Sequence, residues 1–183
     1  MRTATTARPL HHQAGVTLVE SLIGLAIAAV LAGTTAPGFV SALERRQLEG
    51  AAAQLETDIQ LARSEAVMAN RGLRVSFESE ATGSCYVVHS GDAGDCRCSG
   101  NEQPVCSGTA RAWRSASFAS GSPVQLRSNV RSMFVDADKG TVSPTATLQL
   151  QGRSGLALNV VVNIMGRARQ CTPTPPLAGL RAC

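Results

Sequence analysis

Residues 15–40 read GVTLVESLIGLAIAAVLAGTTAPGFV, and between 16 and 40 the one charged side chain is Glu20. A helix of that length, rising about 1.5 Å per residue, reaches across a hydrocarbon core of roughly 30 Å. Residues 1–15, MRTATTARPLHHQAG, are basic and polar, with Arg2 and Arg8 and no acid. In an ordinary secretory signal the apolar region precedes the cleavage site and is lost with it. Here the order is reversed, and cleavage after Gly15 leaves the apolar segment on the mature chain.

Glu20 has two readings. Thr17 and Glu20 stand at the spacing of a capping box, in which the carboxylate serves only a local helix start. A carboxylate at the head of an apolar run also costs free energy in lipid, so an intramembrane acid points to function until a partner is found. The order Gly-Val-Thr-Leu-Val-Glu followed by an apolar helix resembles the N-terminus of type IV prepilins and pseudopilins. The resemblance implies that a prepilin peptidase cuts after Gly15 and methylates the new terminus at Val16. It further implies that Glu20, fifth in the mature chain, aligns subunits during assembly. Val16 stands where that family more often has Phe or Met, and Gln-Ala rather than a basic residue precedes Gly15. Pro37, between Gly33 and Gly38, is expected to kink or locally melt the helix.

Past the proline the pattern becomes amphipathic. Leu48, Ala52, Leu55, Ile59, Ala62, Ala66 and Ala69 recur at alternating spacings of four and three, while Arg45, Glu49, Glu56, Asp58 and Arg63 fall elsewhere. That is one apolar helical face, suited to packing on a head. Asn70-Arg71-Gly72 is the expected stop, through the left-handed conformation that Gly tolerates. Beyond it, short apolar or alternating runs between Gly, Ser, Pro and Asp clusters predict strands at 73–77, 85–89, 111–115, 124–126, 132–135, 145–150, 156–165 and 167–171. Residues 90–108 read as a long polar loop held by its cysteines. The prolines after Cys171 rule out a regular tail.

Six cysteines, Cys85, Cys96, Cys98, Cys106, Cys171 and Cys183, lie in the polar part of a chain with an export-type N-terminus. They point to an oxidising compartment and to disulfides, among whose fifteen possible pairings sequence does not choose. Cys171 and Cys183 are the favoured pair, because a bridge between them closes a loop holding the proline-rich tail. A metal site at Cys96, Cys98 and Cys106 is the weaker alternative, since Cys-x-Cys lacks the Cys-x-x-Cys spacing and His partners of common zinc sites. No metal and no cofactor are expected.

Residues 44–73, ERRQLEGAAAQLETDIQLARSEAVMANRGL, contain Leu-Ala-Arg-Ser-Glu-Ala at 61–66. They are similar to the second half of the long helix in the GspH/FimT family of minor pilins and pseudopilins. Residues 157–171, ALNVVVNIMGRARQC, resemble the same family's closing strand, Gly-Arg turn and final strand. Residues 78–125 carry no such likeness. The resemblance implies a leader at 1–15, a transmembrane and then filament-core helix at 16–40, and a head at 41–183 that includes the amphipathic helix half at 41–71. The fold class so implied is α+β and type IV pilin-like, a long N-terminal helix packed on a mainly antiparallel β-sheet head. The implied partners are the prepilin peptidase, other major and minor pilins, and the inner membrane. The chain would cross that membrane once with its head periplasmic, and then enter a cell-surface pilus.

Composition narrows the function classes. No Gly-rich phosphate loop, nucleophile elbow or metal-ligand pair is present, two of the three histidines lie in the leader, and Glu78 and Glu80 read as a solvated strand face, so the chain is not expected to be an enzyme. Aromatic residues make up 3% of the chain, and base stacking on an aromatic platform is not expected. From 126 onward seven bases (Arg127, Arg131, Lys139, Arg153, Arg167, Arg169, Arg181) face two acids, Asp136 and Asp138, so an anionic partner should prefer this part. In Gly166-Arg167-Ala168-Arg169 the glycine allows a tight turn and alternation puts both arginines on one face, where each guanidinium can grip a phosphate. Two exposed arginines at a hairpin equally serve to keep an edge soluble. FimT-type minor pilins that bind DNA in natural transformation carry Gly-Arg-x-Arg at this place. The resemblance therefore implies weak, sequence-tolerant DNA binding through Gly166, Arg167 and Arg169, with Arg153 and Arg181 as further candidates. The alternative is a purely structural minor pilin, or a type II secretion pseudopilin, that primes filament assembly without DNA.

The N-terminal reading is tested on assembled material. Mass spectrometry of sheared filaments or membranes should find a chain beginning at a methylated Val16; a terminus inside the apolar run excludes a prepilin. Glu20→Ala should reduce incorporation and leave the head's circular dichroism unchanged.

Overall fold

The computed structural model describes residues 17–100, 103–173 and 179–183, without the side chains at 35–37. Gly15 and Val16 lie outside the described residues, and the expected local melting at Pro37 is not seen, since the helix runs on through it. Thr17 opens α1 (Leu18–Met68). Its hydroxyl accepts the Glu20 N–H at 3.2 Å and its carbonyl accepts the Ser21 N–H at 3.1 Å, one half of a capping box. Among the described residues the Glu20 carboxylate has no partner. The chain divides into two units, Met1–Ser41 and Ala42–Cys183. In the first, Leu18, Val19, Leu22, Ile23, Leu25, Ile27, Val30 and Leu31 are all exposed, and the segment is long and apolar enough to cross a membrane.

In the second unit the apolar stripe of α1 is buried at Leu48, Ala52, Leu55, Ile59, Ala62 and Ala66. Ala69 is exposed, because the helix has ended. Its stop differs from expectation. Asn70, not Gly72, takes the left-handed conformation (φ 46°), and the Arg71 N–H closes back on the Ala66 carbonyl at 3.0 Å, the closure of a Schellman motif. Gly72 is small for another reason: a Cβ there would stand 2.4 Å from the Phe134 ring.

Each run expected as a strand overlaps one. The strands β1 (Leu73–Glu80), β2 (Gly83–His89), β5 (Ala112–Ala119), β7 (Ser132–Val135) and β8 (Val142–Ser143) form a five-stranded antiparallel sheet in the order β5-β2-β1-β7-β8. A four-stranded antiparallel sheet is formed by β6 (Val124–Ser128), β9 (Ala146–Gly152), β10 (Ala157–Val162) and β11 (Ala168–Cys171), in the order β11-β10-β9-β6. Alternate side chains of both, among them Val75, Tyr86, Val88, Met133, Leu148, Leu150, Leu158 and Val160, form one core with the helix stripe, as period-two strands require.

The segment 90–108 is more than a loop. It holds the small hairpin β3 (Cys96–Arg97) and β4 (Val105–Cys106). Disulfides Cys85–Cys98 and Cys96–Cys106 press it onto the outer face of β2, where Val87 joins the cysteines in a second cluster. β2 is therefore buried on both faces along its whole length. Cys171 pairs with Cys183. Every cysteine is bonded to another, which removes the metal alternative at Cys96, Cys98 and Cys106, since a metal ligand must be a thiolate.

Asp58, expected outside the apolar face, is buried at 7% exposure. The Tyr86 hydroxyl, itself buried, donates to Asp58 Oδ2 at 2.6 Å, which meets the need of a carboxylate removed from water. Burial chiefly, and then the Asp58 hydrogen bond and charge, push the Tyr86 phenol well above its ordinary range against a smaller opposing effect of Arg114. A second buried pair joins Ser76 Oγ to His89 Nε2 at 2.8 Å, with His89 Nδ1 donating to the Ser90 carbonyl at 3.0 Å.

Tyr86→Phe leaves the buried Asp58 carboxylate without this donor and should cost about 1–3 kcal/mol in denaturant unfolding. Because the folded phenol titrates higher than the unfolded one, the stability it contributes is complete below pH about 10 and falls as pH rises beyond that. The alkaline fall in melting temperature should be shallower in the variant; identical pH profiles would exclude the assigned role.

Candidate functional site

β10 and β11 are joined by residues 163–167, and the chain builds this turn from three sides. Asn163 closes it: its Oδ1 accepts the Arg167 N–H at 2.9 Å, its carbonyl accepts the Gly166 N–H at 2.9 Å, and its N–H donates to the Arg167 carbonyl at 3.1 Å. Gly166 has φ 70°, and a Cβ on it would stand 2.9 Å from Arg63 Cδ and 3.0 Å from the Gly140 carbonyl oxygen. Both the backbone conformation and the space call for glycine. From the helix, Gln60 Nε2 donates to the Gly166 carbonyl at 3.3 Å, and Arg63 Nε donates to the Gly140 carbonyl at 2.9 Å. The Val142 N–H donates to the Ile164 carbonyl at 2.8 Å, tying the turn to β8.

The paired Asn163 and Arg167 prolong the β10–β11 register by one step, so Arg167 and Arg169 alternate onto the outer face of the sheet. On β10 the buried residues are Leu158, Val160 and Val162, and Arg169 lies opposite the half-buried Val161 on the outer side. Both guanidinium groups are exposed, and among the described residues neither has a hydrogen-bond or ion-pair partner. Arg167 belongs to the turn rather than to the strand expected at 167–171, because residues 163–165 are spent on reversing the chain.

Arg153 and Arg181 do not join this pair. Arg153 sits in the β9–β10 turn, where its Nη2 donates to the Gly121 carbonyl, and the adjacent Ser154 N–H donates to Glu44 Oε1 at 2.8 Å. The turn bearing Arg167 packs instead against Gln60 and Arg63, and the helix residues that hold the two turns, Glu44 and Gln60, are about 24 Å apart along α1. Arg181 flanks Thr172, whose N–H donates to the Arg181 carbonyl at 2.8 Å, which puts it at the far end of β11 from Arg167. Sequence reasoning also passed over Asn163, Gln60 and Arg63. The last stands inside the hexapeptide at 61–66, and the signal was available there as a charged residue held between two buried alanines, Ala62 and Ala66.

An antiparallel head that carries an exposed arginine pair on a braced turn, together with an N-terminal helix whose first part is apolar all round, is the build of a type IV pilin-like subunit. The family described as Type II transport protein GspH matches residues 51–166, and the Prokaryotic N-terminal methylation motif matches residues 10–36. The chain belongs to the GspH family, and is thus a minor pilin or pseudopilin of a pilus or secretion filament. In fold it is similar to the type IV minor pilin FimU of Pseudomonas aeruginosa, with a TM-score of 0.52 at 18% identity over 72% of this chain and 96% of that one. The minor pseudopilin EpsH from the Type 2 Secretion System of Vibrio cholerae gives a TM-score of 0.49 at 13% identity over 69% of this chain and 98% of that one. No curated protein matches the sequence.

Gly166→Ala should lower unfolding free energy by about 1–3 kcal/mol, the cost of holding a side chain in a left-handed conformation. Denaturant titration measures it, and an unchanged midpoint would mean that the turn is not held as described.

Proposed function

We propose that this minor pilin binds duplex DNA through Arg167 and Arg169 and serves DNA capture in natural transformation. The observation that carries the reading is the pair of exposed, unpartnered guanidinium groups, among the described residues, on a turn held from three sides by Asn163, Gly166 and the α1 residues Gln60 and Arg63. A braced turn has little backbone freedom left to lose on binding, so the ordering cost falls on the two arginine side chains. The pair can grip phosphates but has little means of distinguishing bases, so binding is sequence-tolerant and weak. In this reading prepilin peptidase cuts at Gly15, Glu20 aligns the subunit with other pilins, and the head is periplasmic until the subunit leaves the inner membrane for a surface pilus. The family's description favours a second reading, a secretion pseudopilin that touches only other pilins.

Full-length protein in detergent micelles, titrated against labelled duplex DNA, separates the two. The parent should show a slope of log affinity against log salt of about −2 to −4, similar for unrelated sequences. Arg167→Gln with Arg169→Gln should weaken binding to all sequences alike and flatten that slope, with unchanged circular dichroism. Equal binding by the double variant would leave the arginines as a solubilising turn and favour the pseudopilin.

A further inference from the structure

The chain's one tryptophan, Trp113, lies on the other flank of the same stretch of α1. It is the extra residue of a β-bulge: Val88 pairs with Arg114 and His89 with Ala112, leaving Trp113 without an opposite number on β2. In a regular strand Trp113 and Arg114 would point to opposite faces. A bulge re-aims side chains, and here both line one open cavity of about 270 Å³, with Leu61, Ala62, Leu73 and Val88 as apolar floor. The Arg71 guanidinium lies 5.5 Å from the centre of the Trp113 ring, within cation–π range. Trp113 stays 41% exposed, and β5 is an edge strand. Arg71, Arg111 and Arg114 are all exposed, against the single acid of the lining, Glu65.

We infer that Trp113, Arg71 and Arg114 form a stacking site for an unpaired nucleobase and its phosphate, as presented by single-stranded nucleic acid. An open aromatic ring takes any base by its face, and guanidinium groups beside it take the backbone, the combination by which single strands are bound without sequence preference. The Glu65 carboxylate can accept from a base's exocyclic amine. So few aromatic residues cannot build an extended platform, whereas one exposed ring with two cations is enough for one base. The inference rests on the nucleic-acid reading of the head for its choice of ligand, but not on Arg167 and Arg169.

Intrinsic fluorescence tests it, because its tryptophan signal comes from Trp113 alone. Full-length protein in detergent micelles should be quenched saturably by oligo(dT), and far less by a blunt duplex of equal length. Trp113→Ala, followed by anisotropy of a labelled strand, should weaken single-strand binding about tenfold or more and leave duplex binding unchanged. Arg71→Gln with Arg114→Gln should weaken the quenching titration. Absence of quenching, or equal single-strand binding by Trp113→Ala, overturns the site whatever the fate of duplex binding. Equal quenching by thymidine monophosphate overturns the strand in favour of a free nucleotide, and equal quenching by a poly-glutamate peptide overturns nucleic acid in favour of an acidic protein segment.

Discussion

The head depends on one packing constraint: the stripe of α1 from Leu48 to Ala66 must be covered by two sheets at once. Its composition suits that task. Leu48, Leu55 and Ile59 supply volume, while Ala52, Ala62 and Ala66 let strands approach the helix closely, and all six are buried. Close packing then fixes the rest, since interiors tolerate neither voids nor overlap. The four-stranded sheet is stretched along the helix between Glu44, which holds the β9–β10 turn, and Gln60, which holds the β10–β11 turn. The arginine-bearing turn is thus positioned by the helix, not by its own strands alone.

The same helix segment serves two surfaces. Gln60 and Arg63 face the Gly166 turn, and Leu61 and Glu65 face the cavity at Trp113. Residues three or four apart share a helix face and neighbours in sequence do not, so the six residues 61–66 divide between two flanks with the buried alanines between them. A short sequence motif acquires in this way more structural duties than any one contact would suggest.

Much of this was legible in the sequence because periodicity is a local signal. The three-four spacing from Leu48 to Ala66 marked the helix face, and runs such as 132–135 marked strands whose side chains alternate. What stayed hidden depends on contacts distant along the chain. Asp58 reads as a surface acid until Tyr86 is placed opposite it. Asn70 and Gly72 exchange roles because Phe134, far along the chain, occupies the space above Gly72. Residues 90–108 lack apolar periodicity, so the hairpin that their cysteines hold left no pattern to read. At the candidate site the two arginines were visible by spacing, but Gln60 and Arg63, which brace them, and Trp113, turned by a bulge, were not.

The disulfide-held hairpin has a consequence for the outer face of β2. One face of β2 is covered by helix and core, but the other is covered by a segment that stays in place through Cys85–Cys98 and Cys96–Cys106. A chain with reduced thiols keeps the first cover and lacks the fastening of the second, leaving Val87 and its neighbours at an apolar surface beside the open edge of β5. Such surfaces invite association. The two bridges thus fasten the cover of this face of β2, a task its few apolar side chains share with the cysteines themselves.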